Sequence, residues 1–342
     1  MTAHLTITQA GPALSLQDQG RAGYRAQGLT VGGAADRTAL FEGAALLGQP
    51  ATHAVIEMAG SGGSFTSDTD IRIALTGAEM AAKIDGEPLV WGASHWLPAG
   101  AKLTIGGARN GSYGYLHVGG GFATPLVMGS RGSHLVGGIG TVLHSGDALP
   151  VGPDAAQDVA MTLPKPDRFG GGKIRLVESM QTASFDAETI ERFTATSFRR
   201  DARANRMGVR MDHDGAGFAT GAQLSIVSEV VVPGDIQISG DGAPYVLMYE
   251  CQTTGGYPRI GSVLPCDLPR VAQAQTGVAL TFEFVGMEEA VNLQTRYLAA
   301  LKSLPSQVTP LVRDPASIRD LLSYQMISGV ISAAADPFEQ ES

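Results

Sequence analysis

Apolar and polar residues alternate with a period of two along most of the chain, as in strands with one buried face. Many of these segments are rich in β-branched and aromatic residues. The clearest predicted strands are residues 71–75, 113–118, 230–232 and 280–285. Turn signals stand at Asp85-Gly86, Asn110-Gly111, Gly146-Asp147 and Gly240-Asp241-Gly242. The pattern therefore predicts a mainly β protein.

A helical period of 3.6 residues is found in few places. Residues 36–47 put Leu40, Ala44 and Leu47 on one face, with Gly48 as a stop signal. Short helices are also predicted at 186–193 and, in the C-terminal tail, at 314–327. We expect helix to fall well below its usual share of about a third.

A Pro- and Gly-rich stretch with almost no apolar period divides the chain near its middle. We assign residues 1–150 to a first β-barrel, 151–173 to a linker and 174–297 to a second barrel. Residues 298–342 are assigned to a tail with one helix. Each half carries several short strands and one short helix, which favours closed or nearly closed barrels over a doubly wound sheet.

The net charge of the chain limits the kinds of molecule that it is expected to bind. The formal net charge is −9, with 33 acidic and 24 basic residues, which argues against a nucleic-acid surface or a membrane-binding basic patch. Only five of the basic residues are lysines, so any cationic site relies mainly on arginine, whose planar fork suits carboxylate and phosphate. A lysine nucleophile is therefore not expected.

Two cysteines, Cys251 and Cys266, are too few for a disulfide framework. The N-terminus has no signal-peptide pattern, and no apolar run reaches membrane-spanning length. These features predict a cytoplasmic protein with reduced thiols.

Several standard signatures are missing from the sequence. Gly171-Gly172-Lys173 approaches a P-loop, but Ile174 replaces the required hydroxyl residue. The seven histidines show no zinc-type spacing, so no metal site is predicted. None of the five lysines follows a methionine, so we expect no covalently attached biotin on this chain.

The densest polar segment is 251–259, which directly follows an apolar strand. It holds Gln252, Thr253, Thr254, Tyr257 and Arg259 around two glycines that let the backbone approach a ligand. Arg259 would supply a bidentate grip for an anion. A hairpin whose polar residues cap their own backbone explains the segment about equally well.

A second cluster lies near the N-terminus, in the glycine-broken loop 18–25. Its Arg21 and Tyr24 precede Asp36, at the mouth of a helix whose dipole favours anions. Asp36 as a simple N-cap is slightly the better interpretation. Glu57 lies in an apolar strand, so its carboxylate should be paired with an arginine. Its interpretations as a structural ion pair and as an active-site acid are close to equal.

Two further segments belong to or follow the strand at 113–118. Tyr113, Tyr115 and His117 project to one side of it, where packing is a more common role than catalysis. The glycine-flanked Ser130-Arg131 is the stronger candidate for binding, because the glycines clear space around its donors.

Nine motifs occur in an order that resembles the carboxyltransferase/allophanate-hydrolase subunit 2 family over nearly the whole chain. They include Asp-x-Gly-Arg-x-Gly-Tyr at 18–24, Gly129-Ser130-Arg131, Arg206-Met207-Gly208, Gly234-Asp235-Ile236-Gln237 and the segment 252–258. The resemblance implies two cyclophilin-like barrels and a companion B subunit. The chain departs from the family pattern at Gly132-Ser133, where Ser-Thr is usual, and at Ala204-Asn205, where Ser-Asp is usual.

The leading function implied by the resemblance is the C subunit of an ATP-dependent 5-oxoprolinase, which opens the lactam of 5-oxoproline to glutamate. The implied partners are a B-type and an A-type subunit and a small anionic substrate, with ATP and Mg²⁺ and with no activity for the chain alone; self-association is a further expectation. One alternative is carboxyl transfer to a urea-like amide from a separate biotin carrier. The other is a non-catalytic regulatory module that binds a kinase-inhibitor-like partner.

Residue types assign the candidate roles within that interpretation. The predicted catalytic residues are Asp36, Glu57 and Arg206. The predicted substrate- or phosphate-binding residues are Arg21, Tyr24, Ser130, Arg131, Gln237, Gln252, Thr253, Thr254, Tyr257 and Arg259. We expect the clusters around Glu57 and Arg259 to line two different barrels that open toward a common cleft.

Overall fold

The computed structural model describes residues 2–219 and 227–312. Its first unit is a curled, nine-stranded antiparallel sheet. The strands are β1 (His4–Gln9), β2 (Leu14–Gln17), β3 (Val55–Ala59), β4 (Ser64–Ser67), β5 (Ile71–Ile84), β6 (Glu87–Leu89), β7 (Ser94–Leu97), β8 (Leu103–Val118) and β9 (Ala148–Pro150). β8 is central, because it pairs with β3, β4 and β5.

The two longest strands, β5 and β8, form the middle of this sheet. Asp85 and Gly86 both have positive φ and form the predicted turn of the β5–β6 hairpin. The turn predicted at Asn110-Gly111 is wrong, since β8 runs through it. Gly111 has φ +95°, and the β5–β8 register shifts nearby, so the glycine marks an irregularity inside a strand.

The second unit is a closed seven-stranded barrel in the order β11-β18-β15-β16-β13-β12-β19. These strands are β11 (Gly172–Val177), β12 (Phe198–Arg200), β13 (Gly208–Asp212), β15 (Asp235–Ile238), β16 (Pro244–Leu247), β18 (Arg259–Val263) and β19 (Ala279–Phe284). The mainly β prediction is confirmed, with one closed barrel and one open, curled sheet. Two small ladders complete the strands: β10 (Met161–Thr162) with β20 (Thr309–Pro310), and β14 (Glu229–Val230) with β17 (Thr254–Gly255).

Four α-helices lie within the described residues. They are α1 (Arg37–Leu47), α2 (Ala187–Ala195), α3 (Leu268–Gln273) and α4 (Met287–Gln307). The first two confirm predicted helices, and Asp36 and Asp186 accept hydrogen bonds from the N3 amides as N-caps. The helix predicted at 314–327 lies outside the described residues.

Helix α4 is absent from the sequence-based prediction, and it crosses residue 298, the predicted start of the tail. Only Ala290 and Leu301 are buried along its 21 residues, so its apolar period is weak. It packs against α1, where the hydroxyls of Thr38 and Tyr297 lie 2.8 Å apart. None of the described helices combines the length and apolar character needed to span a membrane.

The two units share a core. One apolar cluster fills the sheet, around residues such as Leu5, Ile73 and Leu116. The other fills the barrel and continues into the first unit through residues that include Ala35, Leu40 and Tyr115. The units therefore meet through continuous packing.

An ion pair holds the start of the connection between sheet and barrel. Arg72, fully buried in β5, forms a bidentate pair with Asp154, with nitrogen–oxygen distances of 2.7 Å. The sheet ends at Pro150, directly before the predicted linker, and the barrel starts at Gly172, within the last two residues of that linker. The exact domain boundaries stay a prediction.

Candidate functional site

Arg206 forms the centre of a buried network at the junction of the two units. Its Nε donates to Glu250 Oε1 at 2.6 Å, while its two terminal nitrogens donate to Glu57 Oε1 and to the carbonyl of Gly33. Glu57 therefore has the arginine partner that its position in an apolar strand predicted. The partner comes from the other unit, so the pair links sheet and barrel.

The second oxygen of Glu57 is also occupied. Glu57 Oε2 accepts from the Ala35 amide at 2.7 Å and from the Tyr115 hydroxyl at 2.9 Å. That hydroxyl in turn accepts from the Asp36 amide at 2.8 Å. Both oxygens of Glu57 are therefore engaged by groups of this chain, which is the arrangement of a structural ion pair.

Glycines bring the backbone of this network together. Gly33 has φ +83°, and a Cβ on it would meet backbone atoms of residues 18–20 at 2.7–2.8 Å. Gly20 has φ +82°, and its Cβ would lie 2.2 Å from the Val31 carbonyl oxygen. Loops 18–21 and 31–34 can pack this closely only without side chains at these positions. The Gly33 carbonyl is thereby held where Arg206 reaches it.

Burial and charge set the protonation of the network. Burial alone would lower the pKa of Arg206, but the Glu57 and Glu250 carboxylates raise it above the ordinary arginine value. Burial, together with the charges of Glu57 and Asp36, holds the pKa of Tyr115 well above its usual range. The guanidinium is therefore always charged and the phenol always neutral near pH 7.

Asp36 belongs to a second buried cluster under α1. Its Oδ2 accepts from Arg168 Nε at 2.6 Å and from Gln273 Nε2 at 2.8 Å. Arg168 also donates to both oxygens of Glu42, at 2.6 and 2.8 Å. Asp36 thus caps α1 and anchors an arginine. It is fully buried, and Tyr115 connects its backbone amide to Glu57.

Sequence reasoning missed Arg168, Glu42 and Gln273. Arg168 stands in the Pro- and Gly-rich stretch predicted as a linker, where no periodicity marks a buried position. The available signal was Glu42, a carboxylate within a helix whose neighbours Ala39 and Leu46 are also buried. Such a carboxylate requires a partner.

Asp18 and Arg21 shape the loop that carries Ser130 and Arg131. Asp18 accepts from the Ser130 hydroxyl at 2.6 Å and from the Arg131 amide at 2.7 Å. The Arg21 guanidinium donates to the carbonyls of Val127, at 3.0 Å, and Gly132. Arg21 is buried and bound to backbone oxygens. Arg131, by contrast, forms no side-chain ion pair within the described chain.

Tyr24 lies at the edge of this region and is half-buried before a single turn of 3₁₀ helix, Arg25–Gln27. The nearby Thr30 hydroxyl lies 3.1 Å from His134 Nε2 and donates to the Cys251 carbonyl at 2.9 Å. The first unit is therefore tied to the beginning of the segment 251–259.

Gln237, Gln252 and Tyr257 line a cleft of about 400 Å³ on the barrel, together with Asn205 and Arg210. Gln252 Nε2 donates to Gln237 Oε1 at 3.0 Å. Gln237 is buried, and its Nε2 has no hydrogen-bond partner within the described residues. A buried amide N–H₂ without a partner, on a residue that lines a cleft, is a candidate donor to a ligand's carbonyl or carboxylate oxygen.

The remaining residues of this segment serve the scaffold or face solvent. Thr253 accepts from the Val231 amide through its carbonyl, and Thr254 belongs to the ladder with β14. Tyr257 is half exposed at the mouth of the cleft. Asn205, at one departure from the family pattern, accepts from the Met207 amide at 2.8 Å through its side chain.

Arg259 lies behind the cleft and is buried. Its terminal nitrogens donate to Glu229 at 2.6 Å and to Asp235 at 3.2 Å, and its Nε donates to Gln181 at 3.3 Å. The structure therefore places Arg259 in the scaffold, where two carboxylates of its own chain take the role predicted for a ligand. The reason is its place at the start of β18, where Gln181, Asp235 and Glu229 surround the guanidinium.

Nine of the thirteen predicted residues thus fall into three groups, and Tyr24, Thr253, Thr254 and Arg259 lie outside them. Glu57, Arg206 and Asp36 are connected at the junction of the two units. Arg21, Ser130 and Arg131 share the interlocked loops, and Gln237, Gln252 and Tyr257 share the barrel cleft. Their catalytic and binding roles stay predictions.

Comparison with known proteins identifies relatives that share this architecture. The profile described as "Carboxyltransferase domain, subdomain A and B" matches residues 27–284. The C subunit of the 5-oxoprolinase of Escherichia coli is 33% identical over 304 residues, which cover 87% of this chain and 97% of that protein. The protein of the same name from Haemophilus influenzae is 31% identical over 288 residues, which cover 82% of this chain and 91% of that protein.

More distant proteins share the fold. The urea amidolyase of Saccharomyces cerevisiae is 24% identical across 93% of this chain, which spans 19% of that protein. The solved structure of TTHA0988 superposes with a TM-score of 0.74 at 28% identity, covering 82% of this chain and 56% of that one. The K. lactis urea amidolyase structure gives a TM-score of 0.78 at 20% identity, over 91% of this chain and 21% of its own, which supports the fold alone.

The family resemblance inferred from the ordered motifs is confirmed by these matches. The profile spans most of the sheet and the barrel on both sides of Arg206, and the E. coli protein aligns over nearly its whole length. The chain therefore belongs to the carboxyltransferase domain family with subdomains A and B.

Proposed function

We propose that this chain is the C subunit of an ATP-dependent 5-oxoprolinase, which opens the lactam of 5-oxoproline to glutamate together with companion subunits. The observation that carries the proposal is the extent of the match to the C subunit of E. coli 5-oxoprolinase, 97% of which is covered at 33% identity. The yeast urea amidolyase, in contrast, is matched over 19% of its length. The proposed companions are a B-type and an A-type subunit.

The barrel cleft offers chemistry that suits a lactam. Opening the ring places developing charge on the amide carbonyl oxygen, which hydrogen-bond donors stabilise. Gln237 lines this cleft, and its buried Nε2 is a donor without a partner among the described residues. Gln252 holds the Gln237 side chain in place. We assign Gln237 to the carbonyl oxygen, and Gln252 and Tyr257 to its orientation.

ATP requires several cationic or amide donors around its phosphates. Arg206 and Arg259 are saturated by carboxylates of this chain, and Arg21 is bound by backbone carbonyls. The buried arginine network thus does not fit a triphosphate. We place ATP and its Mg²⁺ on surfaces shared with, or supplied by, the companion subunits, and we expect the chain alone to be inactive.

Co-purification with the B-type and A-type subunits tests the proposal. We expect ATP hydrolysis that depends on 5-oxoproline and forms glutamate in the assembly, and no such turnover by the chain alone. Gln237→Met should slow the assembly roughly fivefold, because one hydrogen bond to a carbonyl is worth about 1 kcal/mol. Gln307→Met, at the exposed end of α4, is the matched control and should leave the rate unchanged.

Two results would contradict the proposal. The first is an assembly whose ATP hydrolysis ignores the lactam. The second is transfer of a carboxyl group from a biotin carrier to a urea-like amide, the alternative favoured by the urea amidolyase relatives. Unchanged turnover in Gln237→Met would overturn the residue assignment while leaving the function in place.

A further inference from the structure

A second cleft, of about 600 Å³, lies between the sheet and the barrel. The sheet contributes Gly60, Ser112 and Tyr113 to its lining, and the barrel unit contributes Arg200 and Gln275. It is distinct from the cleft around Gln237, with which it shares no lining residue in the described chain. Both units are therefore needed to form it.

Arg200 is the only cationic residue that the described chain contributes to the lining of this cleft. It ends β12, is half-buried, and its Nε is buried without a hydrogen-bond partner. Across residues 2–219 and 227–312 its side chain forms no ion pair or hydrogen bond. The neighbouring Asp201 is engaged by Arg203, whose Nε lies 2.9 Å from Oδ1.

This situation differs from that of four other inward-facing arginines, and from that of Arg21, whose guanidinium is bound by backbone carbonyls. Arg72, Arg168, Arg206 and Arg259 each have at least one carboxylate partner within the chain. Burial lowers the pKa of Arg200 from its ordinary value, and the nearby Asp201 carboxylate offsets only part of that effect. An arginine remains charged even so, and a half-buried charge without a partner carries a desolvation cost that an anion would offset.

Tyr113 adds a neutral donor to the same cleft. Its hydroxyl forms no hydrogen bond within the described residues, and its charged form would interact with both Arg200 and Arg206. Burial first, and then the charge of Glu57, raise the pKa of Tyr113, so the phenol keeps its proton. A protonated phenol can donate to an anion beside the guanidinium.

We propose that this cleft binds a small monocarboxylate, whose two oxygens accept from the Arg200 guanidinium, with the Tyr113 hydroxyl as a further donor. A guanidinium offers two parallel N–H groups that match one carboxylate. Among the described residues, the lining holds no second arginine, lysine or histidine that would favour a phosphate dianion. The inference goes beyond the proposed function, because it assigns a binding site that can be tested on the chain alone.

Calorimetric titration of the purified full chain tests the proposed site. The probes are sodium 5-oxoproline and sodium acetate, with sodium phosphate as a comparison at matched ionic strength. We expect the chain to bind at least one carboxylate in preference to phosphate. Arg200→Met should weaken that binding about 10- to 100-fold, as expected for loss of a charge-assisted hydrogen-bond pair. Arg200→Lys should be intermediate, because it keeps the charge without the fork.

Arg199→Met is the matched control. Arg199 is the neighbour of Arg200 in β12, and it pairs with Asp214 at the surface, so its loss should leave carboxylate affinity unchanged. Thermal melts of all variants check folding. Since Arg200 has no partner to lose in the described chain, Arg200→Met should melt no lower than the wild type, which a purely structural arginine would not allow.

The proposal is overturned if no carboxylate binds at millimolar concentration, if Arg200→Met binds as tightly as the wild type, or if phosphate binds more tightly than every carboxylate. Loss of companion binding in Arg200→Met, without any carboxylate binding, would also overturn it in favour of a protein carboxylate as the partner. An assembly without oxoprolinase activity would leave these titrations unaffected, so the two proposals fail separately.

Discussion

Arg206 and Arg200 lie on the same short segment, yet their surroundings are opposite. Arg206 reaches from the barrel into the sheet and meets Glu57, Glu250 and a backbone carbonyl. Arg200 lines an open cleft between the same two units and meets no carboxylate in the described chain. The two residue types are identical, so the difference lies entirely in the partners that the fold supplies.

This contrast separates scaffold from candidate binding site. A buried arginine with carboxylate partners is costly to remove, because its loss leaves charges behind in a low dielectric. An arginine without a partner already carries that cost, so the fold gains little by keeping it. The unpaired Arg200 Nε is the observation on which the proposed carboxylate site rests.

Apart from substitutions at Arg206 and Arg200, the largest change in stability is expected at Arg259. The sequence predicts Arg259 as an anion-binding residue. The structure gives it Glu229 and Asp235, so Arg259→Ala should lower the free energy of unfolding by about 3 kcal/mol, the lower end for breaking a buried pair. Denaturant unfolding measures this change.

A surface pair provides the control for Arg259. Arg199→Ala removes the exposed pair with Asp214 and should leave the free energy of unfolding nearly unchanged. If Arg259→Ala were as harmless as Arg199→Ala, carboxylate pairing would not distinguish scaffold arginines from binding ones.

A smaller effect on stability is expected from His117, which is buried and uncharged in the folded protein. Burial lowers the pKa of His117 to about 3, and its Nε2 lies 2.7 Å from the Thr76 hydroxyl. The unfolded chain binds a proton near pH 6.5 while the folded chain does not, so stability falls as pH decreases below about 6.5. Between pH 7 and pH 5.5 this histidine should remove about 1 kcal/mol.

Urea unfolding of the wild type and of His117→Asn at pH 7 and pH 5.5 isolates this contribution. The other histidines titrate equally in both proteins, so the variant should show a shallower loss of stability on acidification. Identical pH dependence would mean that His117 accepts a proton in the folded protein, against the expectation for its buried position.

Much of the fold could be predicted from local pattern. Alternation identified strands such as β5, β8 and β19, and capping signals identified α1 and α2, because these features depend on neighbouring residues. The sequence also predicted that Glu57 has an arginine partner, because a carboxylate buried in an apolar strand needs an opposite charge beside it.

What the sequence could not show depends on distant residues. The pairing of Arg168 with Asp36, or of Arg259 with Asp235, follows from chain segments brought together by the fold. The unpaired state of Arg200 within the described chain is likewise a property of the three-dimensional cleft, and nothing in its sequence neighbours distinguishes it from Arg199. Helix α4 escaped prediction because few of its residues are buried.

The most direct measurement makes the same substitution at both arginines and compares the free energies of unfolding. Arg206→Met should lose about 3–5 kcal/mol, because it leaves Glu57 and Glu250 buried without their partner. Arg200→Met should match the wild type or exceed it. Equal losses at the two positions would contradict the distinction between scaffold and binding arginines, because Arg200 would then stabilise the fold as Arg206 does.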